Sequence, residues 1–255
     1  MSFFKFKSIW NYCTYDKRFL ALILLFFCVI VFIEQYYDNL NSTFALLVLV
    51  GVDVLLFGYG MLITRDRING GIRLPKIIFK DGLILGIQST IVLTILVYVQ
   101  QFIMYLISSP LNFPEFDLED MLMNYSKTLH TLFSHDPVDA LIFVVLGAIL
   151  FYITTFFVEI ALARLADTGS LKSAFNMRGI KRDIDAIGWR NYAKDYTGIV
   201  LTIVIFSYFS DIVIPFDILN YVWAVFIYML MFATQFWGIG NIYRKIKEKE
   251  KIDSS

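Results

Sequence analysis

Six apolar runs constrain this chain more than any other feature. They lie at about residues 18–36, 43–64, 81–108, 137–164, 196–214 and 217–243. Each approaches the roughly 20 residues with which a helix crosses about 30 Å of hydrocarbon. Hydrophobic residues make up 58% of the sequence and charged residues 17%, against about 45–50% and about 25% in a soluble domain. The expected fold is therefore all-α: a polytopic integral membrane bundle of about six transmembrane helices in one domain. An even number of spans puts both termini on one side.

The basic residues choose that side. Four precede the first run, five lie between the second and third, seven lie between the fourth and fifth counting Arg164 and Lys194, and five follow the sixth. The opposite segments hold Lys127 alone and are acidic, with Glu34, Asp38, Glu115, Asp117, Glu119, Asp120, Asp136 and Asp217. Lysine and arginine accumulate on the cytoplasmic side of membrane proteins. A bias of twenty-one to one predicts a multi-pass protein of the cell membrane with both termini cytoplasmic.

The basic, aromatic N-terminus leads into an apolar run as a signal peptide would, but EQYYDN follows it in place of a small-residue cleavage site, which predicts a retained first span. Trp10, Tyr12 and Tyr15 beside Lys7, Lys17 and Arg18 suit the headgroup level. Cys13 and Cys28 are too few for a disulfide framework and read as core or interface residues.

Three hairpins are expected, and each returning helix ends near a basic residue, at Arg65, Arg164 and Arg244. These three are candidate cytoplasmic helix-end contacts to headgroups. Small residues precede each end, at Gly58 and Gly60, Ala161 and Ala163, and Gly238 and Gly240. Small side chains let transmembrane backbones approach closely, and the arrangement suggests a threefold hairpin repeat.

Two loops carry amphipathic pattern. Leu118, Met121, Leu122, Tyr125, Leu129, Leu132 and Phe133 recur at helical spacing and predict an external helix over about 117–133, with Asp117 as N-cap. Asp136-Pro137 starts the fourth span with an acidic cap and proline at the first helical position. Inside, residues 171–188 predict two interfacial helices. Ser170 caps the first, Gly179 breaks it, and the second has Ile180, Ile184 and Ile187 on one face with Lys181, Arg182, Asp183 and Asp185 elsewhere. In the loop RDRINGGIRLPKIIFKDG, Gly70 and Gly71 make a turn and Pro75 starts a helix. Such basic amphipathic pieces rest against anionic headgroups, so membrane lipids are the expected partners.

GYG at the end of the second span, LPK and KDGLILG after it, ARLADTGSLKSAF after the fourth, and GIGNIYR in the sixth occur in order at cytoplasmic helix ends. In these motifs the chain resembles the mostly archaeal membrane family called domain of unknown function 4013, over roughly residues 18–245. The resemblance implies a multi-span topology and carries no activity, substrate or catalytic residue.

Asp53 stands near the middle of the second span, where an ionised carboxylate costs several kcal/mol unless paired or hydrated. One reading puts it on an ion or proton path in the bundle interior; the other makes it a structural carboxyl bonded to neighbouring helices. Glu159 lies in the inner third of the fourth span, at a depth shared with Gln88, Ser89 and Thr90 and with Thr234 and Gln235. Asp53, Gln88, Glu159 and Gln235 form the candidate intramembrane polar site. The layer of Gln88, Glu159 and Gln235 would either line a cavity or tie helices together by hydrogen bonds worth about 0.6–2 kcal/mol each. Glu159 and Arg164 are five residues apart, a poor spacing for a same-helix pair, so Glu159 needs a partner on another helix or water.

No catalytic fingerprint accompanies these groups. P-loop, GxSxG, HExxH and dinucleotide patterns are missing, and GYG lacks a pore sequence around it. His130 and His135 are five apart and off one helical face, so no metal and no cofactor is expected. Asn41 and Asn124 begin glycosylation sequons on the predicted outer side, with Asn124 farther from the bilayer. Nothing points to nucleic acid. The expected function is a noncatalytic envelope, scaffold or assembly component, engaging lipids, another membrane subunit or a second copy of the chain. The alternative is a small transporter or channel using Asp53 and the layer around Glu159.

Overall fold

Every regular element is helical among residues 6–19, 21–22, 24–25, 43–108, 134, 136–210 and 217–253, which the computed structural model describes. The helices are α1 (Phe6–Thr14), α2 (Thr43–Ile68), α3 (Phe79–Ser108), α4 (Pro137–Thr168), α5 (Leu171–Ala174), α6 (Met177–Ile187), α7 (Trp189–Ser210) and α8 (Asp217–Asp253). Most of the first apolar run lies outside the described residues, as do the external helix over 117–133, His130, His135, Asn41, Asn124 and Cys28.

Three stretches among the described residues are long and apolar enough to cross a membrane: Phe79–Leu106, Pro137–Thr168 and Leu219–Ile252. The sequence runs numbered six. Of the others, the first lies mostly outside the described residues, α2 carries Asp53 and ends in Arg65, Asp66 and Arg67, and α7 opens on Arg190, Lys194 and Asp195.

The chain divides into two units, residues 1–92 with 159–255, and residues 93–158. In the first, α8 packs along both α2 and α7. Thr64 Oγ1 donates to the Phe236 carbonyl at 3.1 Å, and Phe57 meets Phe236 edge-on at 6.1 Å. α2 and α3 approach until their backbones touch. A Cβ on Gly58 would lie 2.1 Å from the Gly82 carbonyl oxygen, and one on Gly86 would lie 2.0 Å from that of Val54. The small residues marked in the sequence at Gly60 and Gly240 likewise sit against the Phe236 ring and the Thr64 backbone of the partner helix.

α1 packs on α8 through Trp10, which meets Phe226 edge-on at 6.0 Å, while Ile9, Tyr12 and Cys13 are buried and Tyr15 is exposed. Three local expectations need correcting. Pro75 does not start α3, which begins four residues later at Phe79. Ser170 precedes α5 without a side-chain capping bond. Gly179 breaks nothing: it lies inside α6, whose cap is Asn176, with Oδ1 accepting from the Gly179 amide at 3.0 Å.

The second unit contains the remainders of α3 and α4. α4 begins at Pro137, and Asp136 Oδ1 accepts from the Val138 and Asp139 amides at 2.9 and 3.2 Å, satisfying donors at the helix start. Large apolar side chains cover its surface, among them Phe102, Tyr105, Val138 and Phe151. A surface of this kind suits lipid and not water.

Candidate functional site

The densest polar chemistry of the first unit lies where α2, α4 and α8 end in basic residues. Arg164 is its centre. Its Nη1 donates to Asp183 Oδ2 at 2.5 Å and its Nε to the Ser173 carbonyl at 3.0 Å, with side-chain exposures of 11% for Arg164 and 2% for Asp183. The guanidinium lies over Gly179, where a Cβ would stand 2.5 Å from Nη2. Glycine at this position leaves α6 the room to cover the arginine.

The apolar stripe of α6 faces protein. Ile180, Ile184 and Ile187 are buried together with Asp183, and the helix rests on α7 and α8. The sequence reading had put Asp183 off this face. Its spacing of three from Ile180 and four from Ile187 was the signal that it belongs there.

Other helix-end groups are engaged in the same way. Arg65 Nε donates to the Ala166 carbonyl at 2.6 Å. Arg67 donates to the Gly71 carbonyl and to Asn241 Oδ1, both at 3.0 Å, with its guanidinium carbon 4.8 Å from the centre of the Trp237 ring. Lys247 pairs with Asp167, Lys245 with Asp195, and Arg244 with Glu248 at 2.7 Å. Tyr12 donates to Asp66 Oδ2 at 2.9 Å. Burial pushes the Asp66 carboxyl up, opposed by the Tyr12 hydroxyl and by Arg18, Arg67 and Arg73; burial and Asp66 push the Tyr12 phenol up.

The candidate intramembrane layer separates into three places. Glu159 is buried, and Gln235 Nε2 donates to its Oε1 at 3.4 Å, so its partner is on another helix. Glu159 Oε2 and the buried Thr234 hydroxyl have no partner among the described residues. Gln88 Nε2 reaches the Gly169 carbonyl at 3.3 Å, and Ser89 bonds the Gly86 carbonyl of its own helix. Asp53 is exposed on α2. Among the described residues no three histidine, cysteine or carboxylate side chains gather to hold a metal.

These features define an all-helical protein, with helices fit to cross a membrane and a basic end closed by internal ion pairs and carbonyl contacts. The chain belongs to the family described as protein of unknown function (DUF4013), which it matches over residues 42–215. The match covers α2 to α7 and so includes GYG, LPK, KDGLILG and ARLADTGSLKSAF, while GIGNIYR on α8 falls beyond it. Comparisons with curated proteins and with solved structures give no match.

Proposed function

We propose that this chain is a noncatalytic, six-span scaffold or assembly component of the cell membrane, with both termini cytoplasmic, which engages lipids or another membrane subunit. One observation carries the reading: Arg65, Arg67, Arg164, Arg244, Lys245 and Lys247 at the basic end bind carboxylates, side-chain amides or carbonyls of the chain itself, with Arg164 and Asp183 as the buried centre. Groups held this way fix helix positions and α6, which suits a preformed platform. The strong bias of lysine and arginine to one side supports the topology.

A second reading, transport through Glu159, draws on Glu159 Oε2 and the Thr234 hydroxyl, which have no partner among the described residues, because buried polar atoms without partners attract water or an ion. The two readings separate in proteoliposomes loaded with pH- and cation-sensitive dyes. The scaffold reading expects background flux from both the wild type and Glu159→Gln, together with cross-links in native membranes to one stoichiometric subunit or to a second copy. Wild-type flux that Glu159→Gln abolishes would establish the transporter instead.

A further inference from the structure

The loop between α2 and α3 differs from the rest of the basic end. From Ile72 to Lys80 it reads IRLPKIIFK, with three cations and no acid. Leu74 is buried, its carbonyl accepts from Arg18 Nη1 at 2.5 Å, and the Pro75 carbonyl accepts from the Tyr59 hydroxyl at 3.3 Å. These anchors hold the middle of the loop inward and turn both flanks out. Ile72, Ile77, Ile78 and Phe79 are 63%, 63%, 52% and 65% exposed, and Arg73, Lys76 and Lys80 are exposed among them. Among the described residues none of these three cations forms an ion pair, in contrast to Arg164, Arg244, Lys245 and Lys247 but in common with Arg178, Lys181 and Lys249; what sets the loop apart is the run of exposed apolar tips between its cations.

We infer that residues 72–80 are a binding site for the headgroups of anionic phospholipids. Aliphatic and aromatic tips interleaved with cations match the boundary between acyl chains and acidic headgroups. The position agrees, because Phe79 is the first residue of the stretch Phe79–Leu106 that is fit to cross the membrane. The apolar tips enter the acyl region while Arg73, Lys76 and Lys80 meet phosphodiester oxygens. α6, the other basic amphipathic segment, turns its isoleucine stripe toward protein. This inference rests on the membrane reading above and adds the lipid class and the residues that select it.

Each cation near an anionic surface changes affinity by about five-fold. The test uses the full chain in detergent micelles, with bound phosphatidylglycerol and phosphatidylcholine counted by native mass spectrometry. The expected result is a preference for phosphatidylglycerol of about ten-fold or more. The variant Arg73→Gln/Lys76→Gln/Lys80→Gln should lose it, and the control Arg178→Gln/Lys181→Gln/Lys249→Gln should keep it. Equal binding of the two lipids, a preference that survives the loop variant, or full competition by millimolar inorganic phosphate would overturn the site. Alkaline carbonate extraction of the same proteins separates the two claims. Protein that stays in the membrane without a lipid preference defeats the site alone, and wild-type protein released by carbonate defeats the membrane reading.

Discussion

Arg164 and Asp183, nineteen residues apart in sequence, form a buried ion pair 2.5 Å long that fastens α6 to the end of α4. Removing both partners of a buried pair can be nearly neutral, but removing one strands a charge and costs about 3–5 kcal/mol. Asp183→Ala should therefore lower the thermal midpoint of the detergent-solubilised protein sharply, whereas Arg164→Met/Asp183→Leu should recover part of the loss. Equal midpoints for Asp183→Ala and the wild type would mean that the pair carries no weight.

Gly179→Ala tests the same junction from the other side. The added methyl falls 2.5 Å from Arg164 Nη2, and Asp183 together with the Ser173 carbonyl keeps the guanidinium from swinging away. A loss of about 1–3 kcal/mol is expected, as for overpacking elsewhere. A thermal shift within error of zero would show that the arginine moves freely.

Among the transmembrane glycines, Gly58 and Gly86 should tolerate alanine least, since the obstacle at each is backbone of the facing helix. Gly51→Ala should be neutral or mildly stabilising, because among the described residues no atom beyond its own stretch of helix lies within 4 Å of a Cβ there and alanine is the better helix former. Thermal unfolding of the three variants in one detergent ranks them; a ranking with Gly51→Ala worst would contradict the α2–α3 contact.

Cys13 is buried on α1, and burial pushes its thiol up from 9.0 to about 12. With Cys28→Ala as background, maleimide at pH 7.5 should leave native protein unlabelled and modify it after unfolding in dodecyl sulfate. The sign of the linkage follows. The native state holds the proton more tightly than the unfolded chain, so this contribution is complete below pH 9 and declines as pH rises toward about 12. Cys13→Ala should reduce the alkaline loss of stability; rapid native labelling would place α1 away from α8.

The helical, membrane-type character was legible from the chain because hydrophobic length is a property of single segments. The close contacts at Gly58, Gly60 and Gly240 were legible as small residues, and Glu159 was legible as a group needing a partner from another helix, which is Gln235. What stayed hidden depends on pairing across sequence. An apolar stripe such as Ile180, Ile184 and Ile187 has the same pattern whether lipid or α8 covers it. Tyr12 and Asp66 are 54 residues apart and belong to no motif. Gln88 shared an expected depth with Glu159 and Gln235, but depth says nothing of azimuth, and Gln88 bonds the Gly169 carbonyl while Gln235 bonds Glu159.

The orientation is open to cysteine labelling. In a background of Cys13→Ala and Cys28→Ala, Lys249→Cys in intact cells should react only with a membrane-permeant maleimide, and Lys127→Cys should also react with an impermeant one. The reverse pattern would invert the topology.

The central claim is that the basic end is a platform built by protein contacts and not a set of loops ordered by headgroups. Hydrogen exchange of α6 in a zwitterionic detergent, without anionic lipid, tests it most directly. The account predicts slow exchange at Ile184 and Ile187, comparable with the middle of α8, and faster exchange in Asp183→Ala. Exchange of α6 within seconds, slowed only by added phosphatidylglycerol, would contradict it.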